Sequence, residues 1–412
     1  MQYGLIGGRL GHSYSVEIHA AAADYEYELK ELAPGELEDF FKKREFKGIN
    51  VTIPYKQTVM PFLDEISETA KSIGAVNTVV NENGKLTGHN TDFFGMSSML
   101  RANGIDLKGR KVLILGTGGT SKTARYTAKE LGAREIVVVS RKKSADTVTY
   151  EEAAALHKDA RVIINTTPVG MFPDDSGVPV DISAFPALEG VADAIYHPLR
   201  TNLVLSALER GIPACGGLYM LAAQGVLASA LFLGRGVDES LIEKAFTAVE
   251  KSKMNVVLTG MPTSGKSSVG KLIAERTGRE FFDTDDITRE ALGMPIPDYI
   301  RIYGEESFRN AETAAIQSVS SKSGAVIATG GGAVLRDENV RALKRNGTLV
   351  FLDRSLQNLT AAKDRPLSDS AEKLKNLYET RLPIYRKTAD FTADSNVSVT
   401  EVADTVTGEL KL

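Results

Sequence analysis

The chain has 412 residues, which is enough for about two to four domains that each bury a core. Its apolar content (42%) and charged content (25%) are those of an ordinary globular protein, and a formal net charge of −4 excludes the basic surface typical of nucleic-acid-binding proteins and the polybasic tail of many membrane-bound ones. The single cysteine, Cys215, excludes an internal disulfide, and no apolar run suggests a signal sequence or a bilayer span. We therefore expect a cytoplasmic protein without nucleic-acid or membrane partners.

The chain opens with a predicted buried strand at residues 3–7, followed by a loop that ends in Ser13, Tyr14 and Ser15 before a helix. Two serines at such a junction suit a polyhydroxy ligand. Serine is also a frequent helix cap that needs no ligand, so these residues alone leave both interpretations open.

Two further predicted strands lead to chemically active side chains. Residues 46–53 form a strand that delivers Thr52 and Lys56 at its end, and residues 74–80 form another that is followed by a hairpin and Asp92. A lysine and an aspartate on separate strand ends suit proton transfer to and from a hydroxyl or carbonyl group. A surface salt bridge is the alternative.

Four motifs in this order resemble the substrate domain of shikimate dehydrogenase: His-Ser-x-Ser at 12–15, Asn-Val-Thr-x-Pro-x-Lys at 50–56, Gly-Ala-x-Asn-Thr at 74–78 and Gly-x-Asn-Thr-Asp at 88–92. The resemblance implies that the hydroxyls and carboxylate of shikimate are held by Ser13, Ser15, Thr52, Asn77 and Asp92. It also implies that Lys56 and Asp92 are the catalytic pair. Val16 departs from the family, which usually has proline there.

A strand at residues 109–115 runs into a glycine-rich turn and a helix, the arrangement of a Rossmann dinucleotide site. The predicted cofactor contacts in the turn are Gly116, Gly118 and Gly119. The next strand, 135–139, ends in Ser140, Arg141 and Lys142 rather than in an acidic residue. Because arginine and lysine pair with a 2′-phosphate, we predict NADP(H) rather than NAD. Shikimate dehydrogenases commonly carry Asn-Arg-Thr here, so the resemblance extends to the arginine.

Three later segments, at 162–171, 193–201 and 216–224, also resemble the family. The resemblance places Thr166 beside the cofactor and Gly217 and Met220 near the nicotinamide. It further implies that Tyr196 faces the substrate and that Gln224 contacts it.

The sequence Gly-Met-Pro-Thr-Ser-Gly-Lys-Ser at 260–267 fits the phosphate-loop pattern, between a predicted buried strand at 255–259 and a helix at 269–276. In such a loop, backbone N–H groups turn toward a phosphate, Lys266 reaches the outer phosphates and the Ser267 hydroxyl can ligate magnesium. A glycine-rich turn without a ligand is the alternative. The predicted ATP contacts are Gly260, Ser264, Gly265, Lys266, Ser267 and Ser268.

Carboxylates and arginines follow the phosphate loop. Asp283 and Asp285 come at a strand end, where carboxylates can hold magnesium-bound water and a substrate hydroxyl. Another predicted strand ends in three glycines at 330–332, which permit close backbone approach to a ligand. Arg365 and Arg381 suit both a carboxylate and a transferring phosphoryl group.

This ordered set resembles shikimate kinase over residues 254–412. The resemblance implies that shikimate is bound by Asp285, Arg309, Gly331 and Arg381. It implies that Lys266 and Arg365 stabilise the phosphoryl group, and that the segment 360–370 corresponds to a mobile lid. Ser267 and Asp283 would position magnesium.

We therefore predict an α/β chain of three modules: a substrate-binding domain at 1–100 completed by helices at 218–250, a Rossmann NADP-binding domain at 101–217, and a P-loop domain of nucleoside-monophosphate-kinase-like α/β/α architecture at 254–412. The predicted enzyme is bifunctional in chorismate and aromatic amino acid biosynthesis, reducing 3-dehydroshikimate to shikimate with NADPH and phosphorylating shikimate with ATP and Mg²⁺. Two alternatives stay open: one half binds shikimate or nucleotide without turnover, or the dehydrogenase prefers quinate or NAD. Assembly into a homo-oligomer also stays open.

Overall fold

The structure is a computed structural model that describes residues 1–11, 13–360 and 370–412. The described residues divide into two compact units, Met1–Glu250 and Lys251–Leu412. The polar junction at residues 250–253 is part of a helix, Ser240–Lys253. None of the described helices combines the length and the apolar character needed to cross a bilayer.

The first unit contains both strands and helices along its whole length. The strands are β1 (Tyr3–Gly7), β2 (Glu28–Glu31), β3 (Gly48–Val51), β4 (Glu65–Ile66), β5 (Thr78–Glu82), β6 (Lys85–His89), β7 (Lys111–Leu115), β8 (Glu135–Val139), β9 (Val162–Asn165), β10 (Gly190–Asp193) and β11 (Ala214–Cys215). The helices are α1 (Ser15–Ala22), α2 (Leu37–Lys43), α3 (Glu68–Ile73), α4 (Asp92–Ala102), α5 (Gly119–Glu130), α6 (Tyr150–Leu156), α7 (Asn202–Glu209), α8 (Leu218–Phe232) and α9 (Ser240–Lys253).

The first sheet has the strand order β2-β1-β3-β5-β6-β4. Its strand β5 runs antiparallel to both neighbours and begins at Thr78, later than predicted. The reason is local: Gly74 ends helix α3 in the left-handed conformation (φ 72°), so the chain is still turning before Thr78. The hairpin between β5 and β6 turns at Asn83 and Gly84, both with positive φ, as the Asn-Gly pair favours.

The second sheet has the order β11-β10-β9-β7-β8, and all its strand pairs are parallel. Every residue of β7 and β9 is buried, as expected when helices cover both faces of a parallel sheet. Helix α8, which follows this sheet, packs against α1 and α4. The predicted module boundaries at residues 100 and 217 stay predictions.

The second unit begins with strand β12. Its strands are β12 (Asn255–Thr259), β13 (Phe281–Asp283), β14 (Val326–Ala328), β15 (Gly347–Asp353) and β16 (Phe391–Asp394). Its helices are α10 (Lys266–Thr277), α11 (Thr284–Leu292), α12 (Ile296–Tyr303), α13 (Glu305–Ser320), α14 (Asp337–Asn346), α15 (Ala371–Thr388) and α16 (Val399–Glu409).

The sheet of the second unit has the order β13-β14-β12-β15-β16, with every pairing parallel. Its central strand β12 is buried throughout and leads into the predicted phosphate loop. Hydrophobic clusters lie on both faces of the sheet: one includes Val257 and Phe351, the other Val256 and Leu258. The predicted α/β class is confirmed for both units.

Candidate active sites

The predicted substrate residues of the first unit converge at one edge of the first sheet. Strands β1, β3 and β6 end at this edge and β5 begins there, with Thr78 paired to Asn50 and His89. The backbone of Asn77 joins these ends: its carbonyl accepts from Val51 N at 2.8 Å and its N–H donates to His89 O at 3.0 Å. Side chains that are distant in sequence therefore meet here.

The centre of this site is an ion pair between Lys56 and Asp92. The distance from Lys56 Nζ to Asp92 Oδ2 is 2.6 Å, and the two side chains are 24% and 11% exposed. The other carboxylate oxygen accepts a hydrogen bond from Asn77 Nδ2 at 2.9 Å. Asp92 is also the first residue of α4, where the helix dipole stabilises a negative charge. This burial and fixed geometry distinguish the pair from an ordinary surface salt bridge.

Asn77 connects the ion pair to Gln224 and Thr91. Asn77 Nδ2 lies 3.4 Å from Gln224 Oε1 and 3.0 Å from Thr91 Oγ1, and Thr91 N donates to Asn77 Oδ1 at 2.7 Å. Gln224 is contributed by α8, 147 residues after Asn77. Sequence reasoning did not predict Thr91 as a site residue, and its only signal was its place in the motif that ends in Asp92.

The two predicted serines lie together at the start of α1: Ser13 is in the loop before the helix, and Ser15 is its first residue. Their hydroxyl oxygens are 3.1 Å apart, and Ser15 N donates to Ser13 Oγ at 3.2 Å. The N-cap of α1 is Tyr14, which makes no side-chain cap hydrogen bond. The Tyr14 ring contacts the ring of Tyr196, with centroids 5.2 Å apart, so the serine loop meets the predicted substrate-facing tyrosine. Thr52 is partly buried just after the end of β3.

The glycine-rich turn after β7 has the backbone geometry of a phosphate-binding turn. Gly116 has a φ of 103°, and a Cβ added there would lie 3.0 Å from Thr166 Oγ1. A Cβ added at Gly118 or Gly119 would meet nothing within 4 Å. Gly118 is the N-cap of α5 and Gly119 is its first residue, and the first N–H groups and positive dipole end of this helix suit a pyrophosphate in that open space.

The residues after β8 carry positive charge. Arg141 and Lys142 are exposed, and Lys142 N donates to the hydroxyl of the partly buried Ser140 at 3.4 Å. This arrangement suits a 2′-phosphate better than a ribose 2′-hydroxyl.

Two residues at the start of α8 are fixed by close packing. A Cβ on Gly217 would lie 2.2 Å from the carbonyl oxygen of Ala194, so only glycine fits. Met220 is buried. A Cβ added to Gly95 of α4 would lie 2.6 Å from the carbonyl oxygen of Met220. The start of α8 is thereby held against both α4 and the loop after β10.

Asp193 anchors that loop, which carries Tyr196. Its Oδ1 accepts from Asn165 Nδ2 and Ile195 N, both at 3.0 Å, and its Oδ2 accepts from Thr201 Oγ1 at 2.7 Å. Burial raises the pKa of the Asp193 carboxyl to about 6, against the opposing effect of these hydrogen bonds. Sequence reasoning did not single out Asp193, although an acidic residue at the end of a buried strand was a signal.

The phosphate loop of the second unit connects β12 to α10. Gly265 has a φ of 92° and caps α10, which begins at Lys266, three residues earlier than predicted. Lys266 Nζ donates to the carbonyl oxygens of Gly260 and Met261 at 2.9 and 2.8 Å. The side chain of Ser264 is fully buried in the loop.

The predicted magnesium residues are in contact. Ser267 Oγ donates to Asp283 Oδ2 at 2.6 Å, and Asp283 Oδ1 accepts from Asp285 N at 3.0 Å. Ser268, beside them, is exposed. Oxygen ligands of this kind fit Mg²⁺. The described residues contain no group of three or more His, Cys, Asp or Glu that could hold a metal alone, so the ion would share its ligands with nucleotide phosphates and water.

A cavity of about 520 Å³ lies beside the phosphate loop. Its lining includes the predicted residues Ser267, Asp283, Asp285, Arg309, Gly331 and Arg381, together with Phe308, Ile300 and Glu312. This volume is typical of a small-molecule site. Arg381 is tied to the cavity wall because its Nη1 donates to Gly331 O at 2.8 Å.

Glu312 is a cavity residue that sequence reasoning missed. Its Oε2 accepts from Arg309 Nη1 at 2.8 Å, and the two side chains are 2% and 8% exposed. Burial raises the pKa of the Glu312 carboxyl, whereas the charge of Arg309 opposes that shift. The available signal was its position three residues after Arg309 on α13, which puts both on one helix face.

The three glycines at 330–332 make room for charged side chains. A Cβ on Gly330 would lie 2.5 Å from Asp285 Oδ1 and 2.6 Å from Glu312 Oε1. A Cβ on Gly332 would lie 1.9 Å from Arg309 Nη1. Arg365 lies outside the described residues, as does most of the predicted lid, and the roles of both stay predictions.

The folds and sites define the class of protein: one unit combines a partly buried Lys–Asp ion pair with a dinucleotide-type turn, and the other combines a phosphate loop with a charged cavity. Comparison with known families makes this specific. The model of the shikimate dehydrogenase substrate binding domain matches residues 5–79, and the model of shikimate kinase matches residues 262–411. The NADP⁺ shikimate dehydrogenase of Clostridium perfringens SM101 is 36% identical over 262 residues, which cover 59% of this chain and 96% of that enzyme.

The chain belongs to the shikimate dehydrogenase family through its first unit, and its second unit carries a shikimate kinase domain. It is a bifunctional enzyme of the shikimate pathway, which confirms the predicted combination of oxidoreductase and kinase.

Two solved structures are similar to the first unit. Shikimate 5-dehydrogenase from Thermus thermophilus, in complex with NADP(H) and shikimate, is 34% identical with a TM-score of 0.54, covering 60% of this chain and 98% of that one. A chorismate mutase/shikimate 5-dehydrogenase fusion protein from Clostridium acetobutylicum is 35% identical with a TM-score of 0.58, covering 60% and 97%.

Proposed function

We propose that the first unit reduces 3-dehydroshikimate to shikimate with NADPH. The observation that carries this proposal is the partly buried contact between Lys56 and Asp92, with Asn77 and Gln224 hydrogen-bonded beside it. The cofactor supplies the hydride when bound. The ammonium of Lys56 is placed to give a proton to the substrate oxygen as it gains negative charge, and the contact with Asp92 orients that ammonium.

The polar side chains around the pair suit a polyhydroxy acid. Ser13, Ser15 and Thr52 offer hydroxyl groups that can both donate and accept hydrogen bonds, and Asn77 and Gln224 offer amides. Such a site discriminates strongly against analogues that lack a matching hydroxyl, because its buried polar groups would then stay unpaired. This argument supports a shikimate-type substrate over a flat apolar ketone.

NADP(H) is the proposed cofactor because Arg141 and Lys142 are exposed at the end of β8, beside the glycine-rich turn. The C. perfringens relative is named an NADP⁺ enzyme, and the T. thermophilus structure holds NADP(H). Both support the same choice for this chain.

For the second unit we propose transfer of the γ-phosphoryl group of ATP to a hydroxyl of shikimate, giving shikimate 3-phosphate. Asp285 lies in the cavity beside the phosphate loop, where it can orient the attacking hydroxyl, and the guanidinium groups of Arg309 and Arg381 suit the substrate carboxylate. Lys266 would leave its contacts with loop carbonyls to neutralise the transferring group. Mg²⁺ would be held through Ser267 and Asp283.

A coupled assay on the full chain tests both halves. Purified protein is given 3-dehydroshikimate and NADPH, and NADPH loss and shikimate 3-phosphate are followed with and without ATP and Mg²⁺. We expect NADPH consumption in both cases and phosphorylated product only when ATP and Mg²⁺ are present.

Three outcomes would contradict parts of the proposal. Shikimate that accumulates without phosphorylation would show the second unit to be inactive, as in the alternative of a module that binds without turnover. Absence of NADPH oxidation would refute the reductase. Faster turnover with NAD or with quinate in the reverse reaction would refute the assigned cofactor or substrate.

A further inference from the structure

Tyr14 connects the two sheets of the first unit through a hydrogen bond that neither the motifs nor the family comparison assigns. Its hydroxyl lies 2.5 Å from Nδ1 of His197, a residue 183 positions later in the chain. Tyr14 belongs to the loop after β1 of the first sheet, and His197 belongs to the loop after β10 of the second. The bond therefore bridges the part of the unit that carries the catalytic pair and the part that carries the cofactor turn.

Both ends of this bridge are fixed. The Tyr14 side chain is buried, with the whole residue only 6% exposed, and its ring contacts that of Tyr196. The His197 ring meets the Phe172 ring edge-on at 4.8 Å, and its carbonyl oxygen accepts from Phe172 N at 3.1 Å. A hydrogen bond between two groups that are already held costs little additional conformational entropy when it forms.

The residues next to Tyr14 and His197 in the chain connect this hydrogen bond to the proposed substrate site. Tyr14 stands between Ser13 and Ser15, and His197 directly follows Tyr196, so residues of the proposed substrate site flank both partners. A change in the distance between Tyr14 and His197 would move the serine hydroxyls relative to Tyr196. Misplacement of about 1 Å can lower a rate by about a hundredfold when several groups must act together.

We infer that Tyr14 and His197 are positioning residues of the dehydrogenase, whose hydrogen bond holds the serine loop against the Tyr196 loop in the geometry that binds the polyhydroxy substrate. This inference rests on the proposed reductase function. It concerns substrate binding by the first unit and leaves the kinase reaction independent.

The test is a double-mutant cycle on the full chain with Tyr14→Phe, His197→Ala and the double variant. Tyr14→Phe keeps the ring and removes only the hydroxyl. Shikimate oxidation with NADP⁺ gives KM and kcat, calorimetric titration gives the Kd of shikimate, and shikimate kinase activity serves as an internal control for the intact chain. We expect KM and Kd for shikimate to rise roughly three- to tenfold in Tyr14→Phe, the range that one net hydrogen bond supports, with the KM for NADP⁺ unchanged.

The chain offers a matched control. The hydroxyl of Tyr25 makes the same kind of bond to His19 Nδ1, at 2.6 Å, but both partners lie between β1 and β2 of the first sheet. Tyr25→Phe should lower thermal stability without changing the KM for shikimate. His197→Asn, which retains a hydrogen-bonding group near the position of Nδ1, should restore part of the affinity lost in His197→Ala.

The expected signature is coupling: the loss caused by Tyr14→Phe disappears when His197 is already alanine. The inference would be overturned if Tyr14→Phe left the KM and Kd for shikimate unchanged, or if it lowered shikimate affinity equally with His197 and with Ala at position 197. In either case, turnover by the wild-type protein would leave the proposed function standing. An equal loss in Tyr25→Phe would also overturn it. A wild-type protein that neither binds nor oxidises shikimate would overturn both together.

Discussion

Replacement of Asp193 by asparagine should make the folding stability of the first unit less sensitive to pH. The Asp193 carboxyl is buried, where a negative charge is unfavourable, although three hydrogen-bond donors face it. Desolvation raises its pKa from 3.8 to about 6. A carboxyl with a raised folded-state pKa stabilises the folded protein most at a pH below about 4, and that stability is lost as the pH rises through about 6. The difference between the two pKa values corresponds to about 3 kcal/mol in total.

Asparagine can keep most of the contacts without the charge. Its Oδ1 can accept from Asn165 Nδ2 and Ile195 N as the carboxylate does, and its Nδ2 can donate to Thr201 Oγ1 once that hydroxyl turns. The advantage of Asp193→Asn over the wild type should therefore grow by about 2 kcal/mol between about pH 4.5 and pH 8. In a unit of this size, that change corresponds to roughly 4–8 °C in Tm.

Differential scanning calorimetry of the full chain at both pH values measures this change. The transition of the first unit is the one that NADP⁺ shifts to higher temperature, because a ligand stabilises the folded form that it binds. Asp181→Asn is a suitable control, since hydrogen bonds from Ser183 lower the pKa of the Asp181 carboxyl at the protein surface. The Tm difference between Asp181→Asn and wild type should change little between the two pH values, and in the direction opposite to that of Asp193→Asn. An equal Tm difference between Asp193→Asn and wild type at both pH values would refute the reasoning.

Three further predictions concern the two reactions. Lys56→Ala should lower NADPH-dependent reduction by about 10²–10⁴-fold, the usual effect of removing a general acid, and leave phosphorylation unchanged; parallel loss of both activities would contradict independent sites. Arg141→Ala should raise the KM for NADPH by roughly ten- to a hundredfold through loss of a charge-assisted contact, with little effect on the KM for NADH; an unchanged preference would count against the assignment of Arg141. Gly332→Ala places a Cβ 1.9 Å from Arg309 Nη1 and should raise the KM for shikimate in the kinase assay, whereas Gly408→Ala, where a Cβ meets nothing within 4 Å, should not.

The sequence was sufficient to predict that certain side chains meet where those residues lie next to a strand end, and their functional roles stay predictions. Lys56 and Asp92 come after predicted strands, and Asn77, which was predicted inside a strand, directly precedes β5. Parallel or antiparallel pairing brings such ends to one edge of a sheet. The same holds for the phosphate loop after β12. In these places the local pattern and the chemistry coincide, so four motifs were enough to predict which side chains meet.

Other contacts could not be predicted because nothing local requires them. Thr91 lies between Asn77 and Gln224, and the distance from Thr91 Oγ1 to Gln224 Oε1 is 3.3 Å, but that contact depends on the way α8 packs against α4. Glu312 resembles an ordinary exposed helix residue in sequence, yet its side chain is only 2% exposed, because α13 packs it beside Arg309 and the glycine segment at 330–332. Such contacts follow from tertiary packing rather than from propensity.

Thr263 shows the same limit at the level of the backbone. It has a φ of 64°, a left-handed conformation that costs a β-branched residue on the order of 1–3 kcal/mol and that sequence preference would assign to glycine. The hydroxyl offsets part of this cost, because it donates to Pro262 O at 2.6 Å and accepts from Thr360 N at 3.1 Å. A glycine would relieve the strain but release Thr360 from the phosphate loop. The strained residue therefore persists because it contributes a contact between two segments of the second unit, and no pattern in residues 260–267 could have revealed a partner 97 positions away.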